Sequence, residues 1–433
     1  MKKLLLVAAF WVFGLSAAQA VEIQTVRSDK GVTAWLVEDH SNPIVSVSLS
    51  FKGGAALDPA GREGLANFVA STIDEGAGDL DSQAFQGTMR KLSIELTFDA
   101  GRESVSGRLQ TLSVNKDKAF DLLRLSLNHP RFDEEALNRI RSQITMVIRQ
   151  KSQDPDALAG QAFSEKLFPG HPYSKPVDGT LDSVAKIGKA DLQAFVKRRF
   201  AKNNLYVGVV GDVTAEELKG LLDSTFGDLP EKAEDWTLPE VKPSDSGGIS
   251  VVDHPVPQSV IVFGQAGLKR KDPAFYPAYV ANYILGGGSF ASRLFDEIRE
   301  KRGLAYSAYS YLAPYDYTAL WAGGAATANE RVKETIDVVK AEWKRMAEKG
   351  VTRQELEDAK TYLTGSYHLR FSSSAAIASM LVAIQQDDLG IDFLDKRNAL
   401  VEAVTLEQVN QVVKRLLDPQ KLIIVVAGQP QGL

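Results

Sequence analysis

Leu285-Gly-Gly-Gly-Ser-Phe-Ala-Ser-Arg-Leu-Phe-Asp-Glu-Ile-Arg-Glu-Lys-Arg-Gly-Leu-Ala-Tyr-Ser307 is the most specific stretch of this chain. A glycine cluster leads into Ser-Arg-Leu, then into a run of mixed acids and bases, and closes on Gly-Leu-Ala-Tyr. The glycines are not those of a phosphate cradle, since neither G-x-x-x-x-G-K-[ST] nor G-x-G-x-x-G is present. Taken alone, Glu297, Arg299, Glu300, Lys301 and Arg302 describe a solvated helix face, and Tyr306 a core aromatic. The rest of the chain changes the weight of that reading.

Working outward, Val184 to Gly211 overlays Val401 to Gly428 without a gap. Val196-Lys-Arg matches Val413-Lys-Arg, Leu205 matches Leu422, and Val209-x-Gly211 matches Val426-x-Gly428. Each copy reads as an amphipathic helix followed by a buried strand that ends in Gly. Both halves open with a strand expected to run into a long helix, Ile44 to Phe51 in one and Ser259 to Phe263 in the other. Ile44 to Phe51 alternates Val45, Val47, Leu49 and Phe51 with Ser46, Ser48 and Ser50, the period of a half-buried strand. Thr214-x-x-Glu217 and Thr352-x-x-Glu355 have the form of capping boxes that start helices. Between the halves lies a segment of low hydrophobicity, Gly227 to Gly248, with Pro230, Pro239, Pro243 and Ser244-Asp-Ser-Gly-Gly. The expected organisation is an N-terminal domain over 21–226, a linker over 227–248 and a homologous C-terminal domain over 249–433. The fold class is a duplicated α+β unit.

Residues 1–20 have the build of a secretory signal: Lys2 and Lys3, an apolar run from Leu4 to Leu15, and Ala18-Gln19-Ala20 before a mature start at Val21. The apolar run is shorter than the roughly 20 residues that span a bilayer. The expectation is an exported protein without membrane insertion, periplasmic if the source is Gram-negative. There is no cysteine, which excludes disulfides, thiol catalysis and thiolate metal sites. Lys and Arg number 50 against 55 Asp and Glu, a formal charge of −5, or −7 without Lys2 and Lys3. That balance argues against nucleic acid or an anionic membrane as partner.

One more segment bears on function. Gly64-Leu-Ala-Asn-Phe-Val-Ala-Ser71 follows a loop, Asp58-Pro-Ala-Gly-Arg-Glu-Gly-Leu-Ala66, and by itself is an ordinary amphipathic helix. Together with the 285–307 stretch and the duplication, it resembles the pitrilysin and insulinase family of zinc metallopeptidases, over essentially the whole mature chain. The resemblance carried by residues 58–71 and 285–307 implies that each half is a mixed, largely antiparallel sheet with helices packed on one face. In that family a Gly-Leu-Ala-His-Phe-x-Glu-His helix places two His as zinc ligands on one face, and the Glu activates the bound water. Here Asn67 and Ser71 stand at the two His positions and Ala70 at the Glu position. The resemblance also implies a third ligand, a Glu on a later helix. No acidic residue occurs between Ala136 and Gln153, and the implied position falls near the apolar Met146 and Val147. His40, His129, His171, His254 and His368 include no pair at helical ligand spacing. His171, in a Phe-Pro-Gly-His-Pro-Tyr turn, reads as structural. No metal is therefore expected in this chain.

The resemblance gives Arg299 and Tyr306 the opposite status. They occupy the positions that in active members reach across to the zinc site, hold the substrate backbone and stabilise the tetrahedral intermediate. A guanidinium and a phenol are both donors suited to a developing oxyanion. The implied function is a non-catalytic subunit of an exported heteromeric zinc metallopeptidase. It would supply Arg299 and Tyr306 to a homologous zinc-bearing partner and receive unfolded peptides, with zinc only in the partner. The alternative is a stand-alone peptide-binding or scaffold protein. A self-sufficient serine hydrolase is disfavoured because no Gly-x-Ser-x-Gly elbow accompanies Ser289, Ser292 or Ser372–Ser374.

Overall fold

The computed structural model describes residues 22–433; the export signal expected over residues 1–20 lies outside them. The first half contributes β1 (Gln24–Arg27), β2 (Thr33–Glu38), β3 (Ile44–Lys52), β4 (Glu95–Ala100), β5 (Ser104–Leu112) and β6 (Leu205–Gly211). They form a 6-stranded sheet in the order β1-β2-β6-β3-β5-β4. The second half contributes β7 (Gly248–Asp253), β8 (Gln258–Ala266), β9 (Ala305–Pro314), β10 (Ala319–Ala328) and β11 (Ile423–Gly428). These form a 5-stranded sheet in the order β7-β11-β8-β10-β9. Without the added edge strand β1, the two orders are one order. In each, the first pair is parallel, β2 with β6 and β7 with β11, while the other neighbours are antiparallel.

The repeated glycines have the same task in both copies. Gly211 has φ +136° and Gly428 φ +150°, where side chains are strained, and an added Cβ would lie 2.0 Å from the Ile44 carbonyl oxygen or 2.2 Å from Ser259 Oγ. Both capping boxes form, Thr214 with Glu217 and Thr352 with Glu355, on helices at different places in the two halves. The expected long helix after β3 is instead the short Leu65–Ala70. Thr72 Oγ1 turns back to the Phe68 carbonyl at 2.6 Å, a local bond that competes with continuing the helix. Gly76 and Gly78 follow at positive φ. By contrast β8 leads to the helix Phe275–Asn282, which runs on with a wider pitch through Tyr283–Gly287.

Alternation along β3 is only half of what buries it. Val45, Val47, Leu49 and Phe51 enter the core of the first half, where Phe51 stacks on Phe200 with centroids 4.4 Å apart. Ser46, Ser48 and Ser50, expected on a solvated face, are buried as well. The helix Ser374–Gln386 of the second half lies across β3 and β6. Gln386 Nε2 donates to Ser50 Oγ at 2.9 Å and Gln385 Nε2 to the Val207 carbonyl at 3.0 Å. Small residues make the approach possible: a Cβ on Gly208 would sit 2.5 Å from the Ala378 carbonyl oxygen.

The exchange is reciprocal. The helix Pro155–Leu167 of the first half packs on β8 and β11 of the second, bringing Ala159, Phe163 and Leu167 against Val260, Ala322, Val425 and Ala427. A buried side chain of the size of Phe163 contributes about 1.5–3 kcal/mol. Each sheet thus carries its own helices on one face and a helix from the other half on the opposite face. Of the linker expected over 227–248, residues 228–247 run without regular structure along both halves, and Gly248 opens β7. Leu238 is buried among the exchanged elements, and the Val241 and Ser244 amides donate to the Tyr317 and Leu167 carbonyls at 3.0 and 2.9 Å. A polar contact adds to this join: the Asp316 amide donates to Glu103 at 2.7 Å, and Lys52 pairs with Asp316 at 3.0 Å. The halves are one interlocked body.

Candidate functional site

Asn67, Ala70 and Ser71 come together on the helix Leu65–Ala70 and its C-cap. The Ser71 amide donates to the Asn67 carbonyl at 2.9 Å, so these two residues stand one turn apart, half-buried, while Ala70 is buried. Gly64 begins the helix at φ +92°, with no room for a side chain against the Asp178 carbonyl. Asp58 holds this start, accepting from the Gly64 and Ala66 amides at 2.9 and 3.0 Å. Burial pushes its carboxyl up to about 7, against the pull of those amides. The frame of the helix is therefore complete, and what is missing is chemistry.

An amide, a methyl and a hydroxyl are poor donors for zinc and cannot act as a base at neutral pH. Met146 is 69 % exposed and Val147 is exposed too, on the helix Glu134–Lys151 where the third ligand is implied. Among the described residues, no group of three or more His, Asp or Glu side chains is arranged to hold a metal. Two acids do follow the helix. Burial pushes Asp74 up to about 6, and Gln86 Nε2 donates to its backbone carbonyl at 3.1 Å and reaches its carboxylate at 3.5 Å. Glu75 is paired with Arg139 at 2.6 Å. His171 is buried with both ring nitrogens occupied: Nδ1 accepts from the Tyr173 amide at 3.2 Å and Nε2 meets the Pro239 carbonyl at 3.1 Å. Burial lowers its pKa, consistent with a neutral structural imidazole. The residues present do not fit zinc.

In the second half the structure brings Arg299 and Tyr306 together. Arg299 lies on a wide turn in which the Lys301 amide reaches back to the Asp296 carbonyl at 2.9 Å; Tyr306 stands near the start of β9, an edge strand. The guanidinium carbon lies 4.6 Å from the Tyr306 ring centroid, 4.9 Å from Phe295 and 5.6 Å from Phe290. Tyr306 is 81 % exposed and Phe290 74 %, so the core reading of Tyr306 is overturned. Arg299 also differs from its charged neighbours. Glu297 collects Lys301 and Arg302, whereas the nearest acid to Arg299 is Glu300 at 3.7 Å, beyond hydrogen-bond reach. Stacking on aromatic faces fixes a guanidinium while leaving its N–H edge free for an acceptor.

Two parts of this arrangement were not foreseen from the sequence. Phe290 and Phe295 complete the aromatic bed of Arg299. Arg293, buried in the Ser-Arg-Leu segment, makes a two-pronged pair with Glu355 at 2.7 and 2.8 Å and donates to the Gly350 carbonyl at 3.0 Å. Glu355 is the acid of the second capping box, so one carboxylate caps a helix and anchors the segment that carries Arg299. Burial raises its pKa, but the Arg293 and Thr352 donors outweigh that and hold it down at about 2. No local pattern links Arg293 to Glu355 across that sequence distance.

Comparison with known proteins agrees with this geometry. Residues 33–181 match the family model described as Insulinase (Peptidase family M16), and residues 186–363 match that described as Peptidase M16 inactive domain. The chain belongs to the M16 insulinase family. It is 29 % identical to the "Non-peptidase homolog YmxG" of Helicobacter pylori, over 96 % of this chain and 95 % of that protein. It is 26 % identical to an "Uncharacterized zinc protease" of Rickettsia bellii, over 81 % and 82 %. A crystal structure of a peptidase M16 inactive domain from Pseudomonas fluorescens superposes with a TM-score of 0.88 at 28 % identity, covering 95 % of this chain and 98 % of that one. Within this family the chain is a non-catalytic homologue: the zinc donors are absent from its own helix. No helix among the described residues is long and apolar enough to cross a membrane.

Proposed function

We propose that this chain is the substrate-binding subunit of an exported, heteromeric zinc metallopeptidase. It places Arg299 and Tyr306 beside the zinc of a homologous partner that carries an intact His-x-x-Glu-His helix. Unfolded peptides enter the chamber between the two chains. Arg299 and Tyr306 hold the peptide backbone and donate to the oxygen that gains charge as the partner's activated water attacks. The observation that carries this reading is the Arg299–Tyr306 pair itself, an exposed phenol stacked on a half-buried guanidinium without a closely bonded acid, in a chain whose own zinc helix has no donor.

The name of the Helicobacter pylori relative, a non-peptidase homologue, favours a second reading: a stand-alone peptide-binding or scaffold protein. Titrating this chain into the organism's zinc-bearing paralogue, with an unstructured fluorogenic peptide as substrate, separates the two. A saturating rise in cleavage from near zero supports the shared site. A paralogue already fully active, and unchanged by this chain, removes it in favour of peptide binding without hydrolysis.

A further inference from the structure

A concave site lies in the C-terminal half, between the helix Phe275–Asn282, the turn Tyr367–Phe371, the exchanged helix Ser374–Gln386 and the helix Phe393–Glu402. Its volume is about 360 Å³, at the lower end of the range for small-molecule sites. The walls are aromatic and aliphatic, with Tyr276, Tyr279, Tyr311, Met380 and Ile384 among them. Arg270, Arg370 and Arg397 also line it, with Asp387 as the one acid.

Arg397 is the telling residue, for it is only 5 % exposed. Its guanidinium carbon lies 4.3 Å from the Tyr367 centroid and 5.7 Å from Tyr279. Its hydrogen bonds go to neutral acceptors: the Leu363 carbonyl at 2.6 Å, Asn398 Oδ1 at 2.9 Å and the Tyr279 hydroxyl at 3.2 Å. Among the described residues, none of these hydrogen bonds reaches a carboxylate. A buried guanidinium without a counter-charge is costly, and an incoming anion would relieve that cost. Arg270 is packed between Phe275 at 4.4 Å and Tyr276 at 5.3 Å. Its contact with Asp387, at 3.6 Å, is loose. Arg370 is exposed at the rim. Three guanidinium groups against one carboxylate leave the site with an excess of two positive charges in an aromatic enclosure.

We infer that this cleft is a binding site for a monocarboxylate on an apolar, aromatic-sized body, its carboxylate directed to the arginines and its body to the tyrosines and Met380. Two sources share that chemistry: the free C-terminus of a peptide ending in an aromatic residue, and a free aromatic acid. The site is separate from the Arg299–Tyr306 pair and does not depend on a zinc-bearing partner.

Calorimetric titration of the full chain with N-acetylphenylalanine, 3-phenylpropionate and N-acetylphenylalanine amide tests the inference. At least one acid is expected to bind tenfold or more tighter than the amide, and the tighter of the two acids names the source. Arg370→Gln, at an exposed position that leaves folding intact, is expected to weaken the acid at least threefold without affecting the amide. Tyr311→Ala is expected to weaken the acid and the amide alike. Equal binding of acid and amide, no binding of any probe, or an acid affinity unchanged in both Arg370→Gln and Arg270→Gln would overturn it.

Discussion

The helix at 65–71 and the segment at 289–306 are both family signatures, and they have met opposite fates. In the first, the backbone frame is intact: Gly64 still packs against the 178–179 backbone, and Asp58 still caps the helix. Only Asn67, Ala70 and Ser71 differ, and with them go the ligands and the base. In the second, the frame and the side chains Arg299 and Tyr306 are both present, with Arg293 locked to Glu355 and Arg299 bedded on Phe290, Phe295 and Tyr306. The difference teaches that the positions that build a site and the positions that react in it are separable. A chain can discard the reactive set in one half while its fold, and the Arg299–Tyr306 pair of the other half, stay in place.

The largest effect is expected from restoring the lost residues of the first helix. Asn67→His, Ala70→Glu and Ser71→His together are expected to give neither stoichiometric zinc by metal analysis nor cleavage of a fluorogenic peptide, because the third ligand is also missing. Glu at the buried Ala70 position is expected to lower stability by several kcal/mol as an uncompensated charge. Tight zinc with cleavage would mean that the first site is dormant and not lost.

Both regions belong to one body because of the exchanged helices. Phe163→Ala removes a side chain held between the halves and is expected to cost about 3–5 kcal/mol, seen as a lower denaturation midpoint. A loss below about 1 kcal/mol, within the range of a surface substitution, would show that the halves are held by other contacts.

Glu355→Gln tests the anchor beneath Arg299 and is expected to cost about 1–3 kcal/mol at neutral pH. Because the folded chain holds Glu355 near 2, below its unfolded value of about 4.3, its contribution is present above pH 4.3. It fades as the pH falls towards 2. The variant's stability should therefore approach that of the wild type in acid. A difference between the two that stays constant from pH 7 to pH 3 would contradict this role. The smallest effect is expected from Tyr306→Phe, which keeps the stack on Arg299 and removes only the hydroxyl. A fall of about threefold to tenfold in turnover of the assembled pair would distinguish donation from packing.

Much of the fold was legible because it is written locally. Period-2 alternation located β3, and the repeated Val-x-Gly ends located β6 and β11. The capping threonines marked two helix starts. The partnership of Pro155–Leu167 with the second sheet and of Ser374–Gln386 with the first was not legible, since no local pattern says which sheet a helix will cover. For the same reason Ser46, Ser48 and Ser50 read as solvent-facing, although their small size is what admits a helix. Of the site, residue identities were readable and surroundings were not. A run of mixed charge suggests solvation for every member, yet only three dimensions show Lys301 and Arg302 drawn to Glu297 and Arg299 left on aromatic rings. Taken alone Tyr306 reads as a core aromatic, and only the family resemblance sets it outside one; its position on an edge strand leaves it exposed.

The most direct measurement is the turnover of the zinc-bearing paralogue saturated with wild-type chain or with Arg299→Ala, with assembly monitored in the same samples by analytical ultracentrifugation. A fall of about tenfold to a thousandfold with equal assembly is the expected result, as for loss of a donor used in the transition state. Equal turnover with equal assembly would contradict the central claim that this chain completes its partner's site.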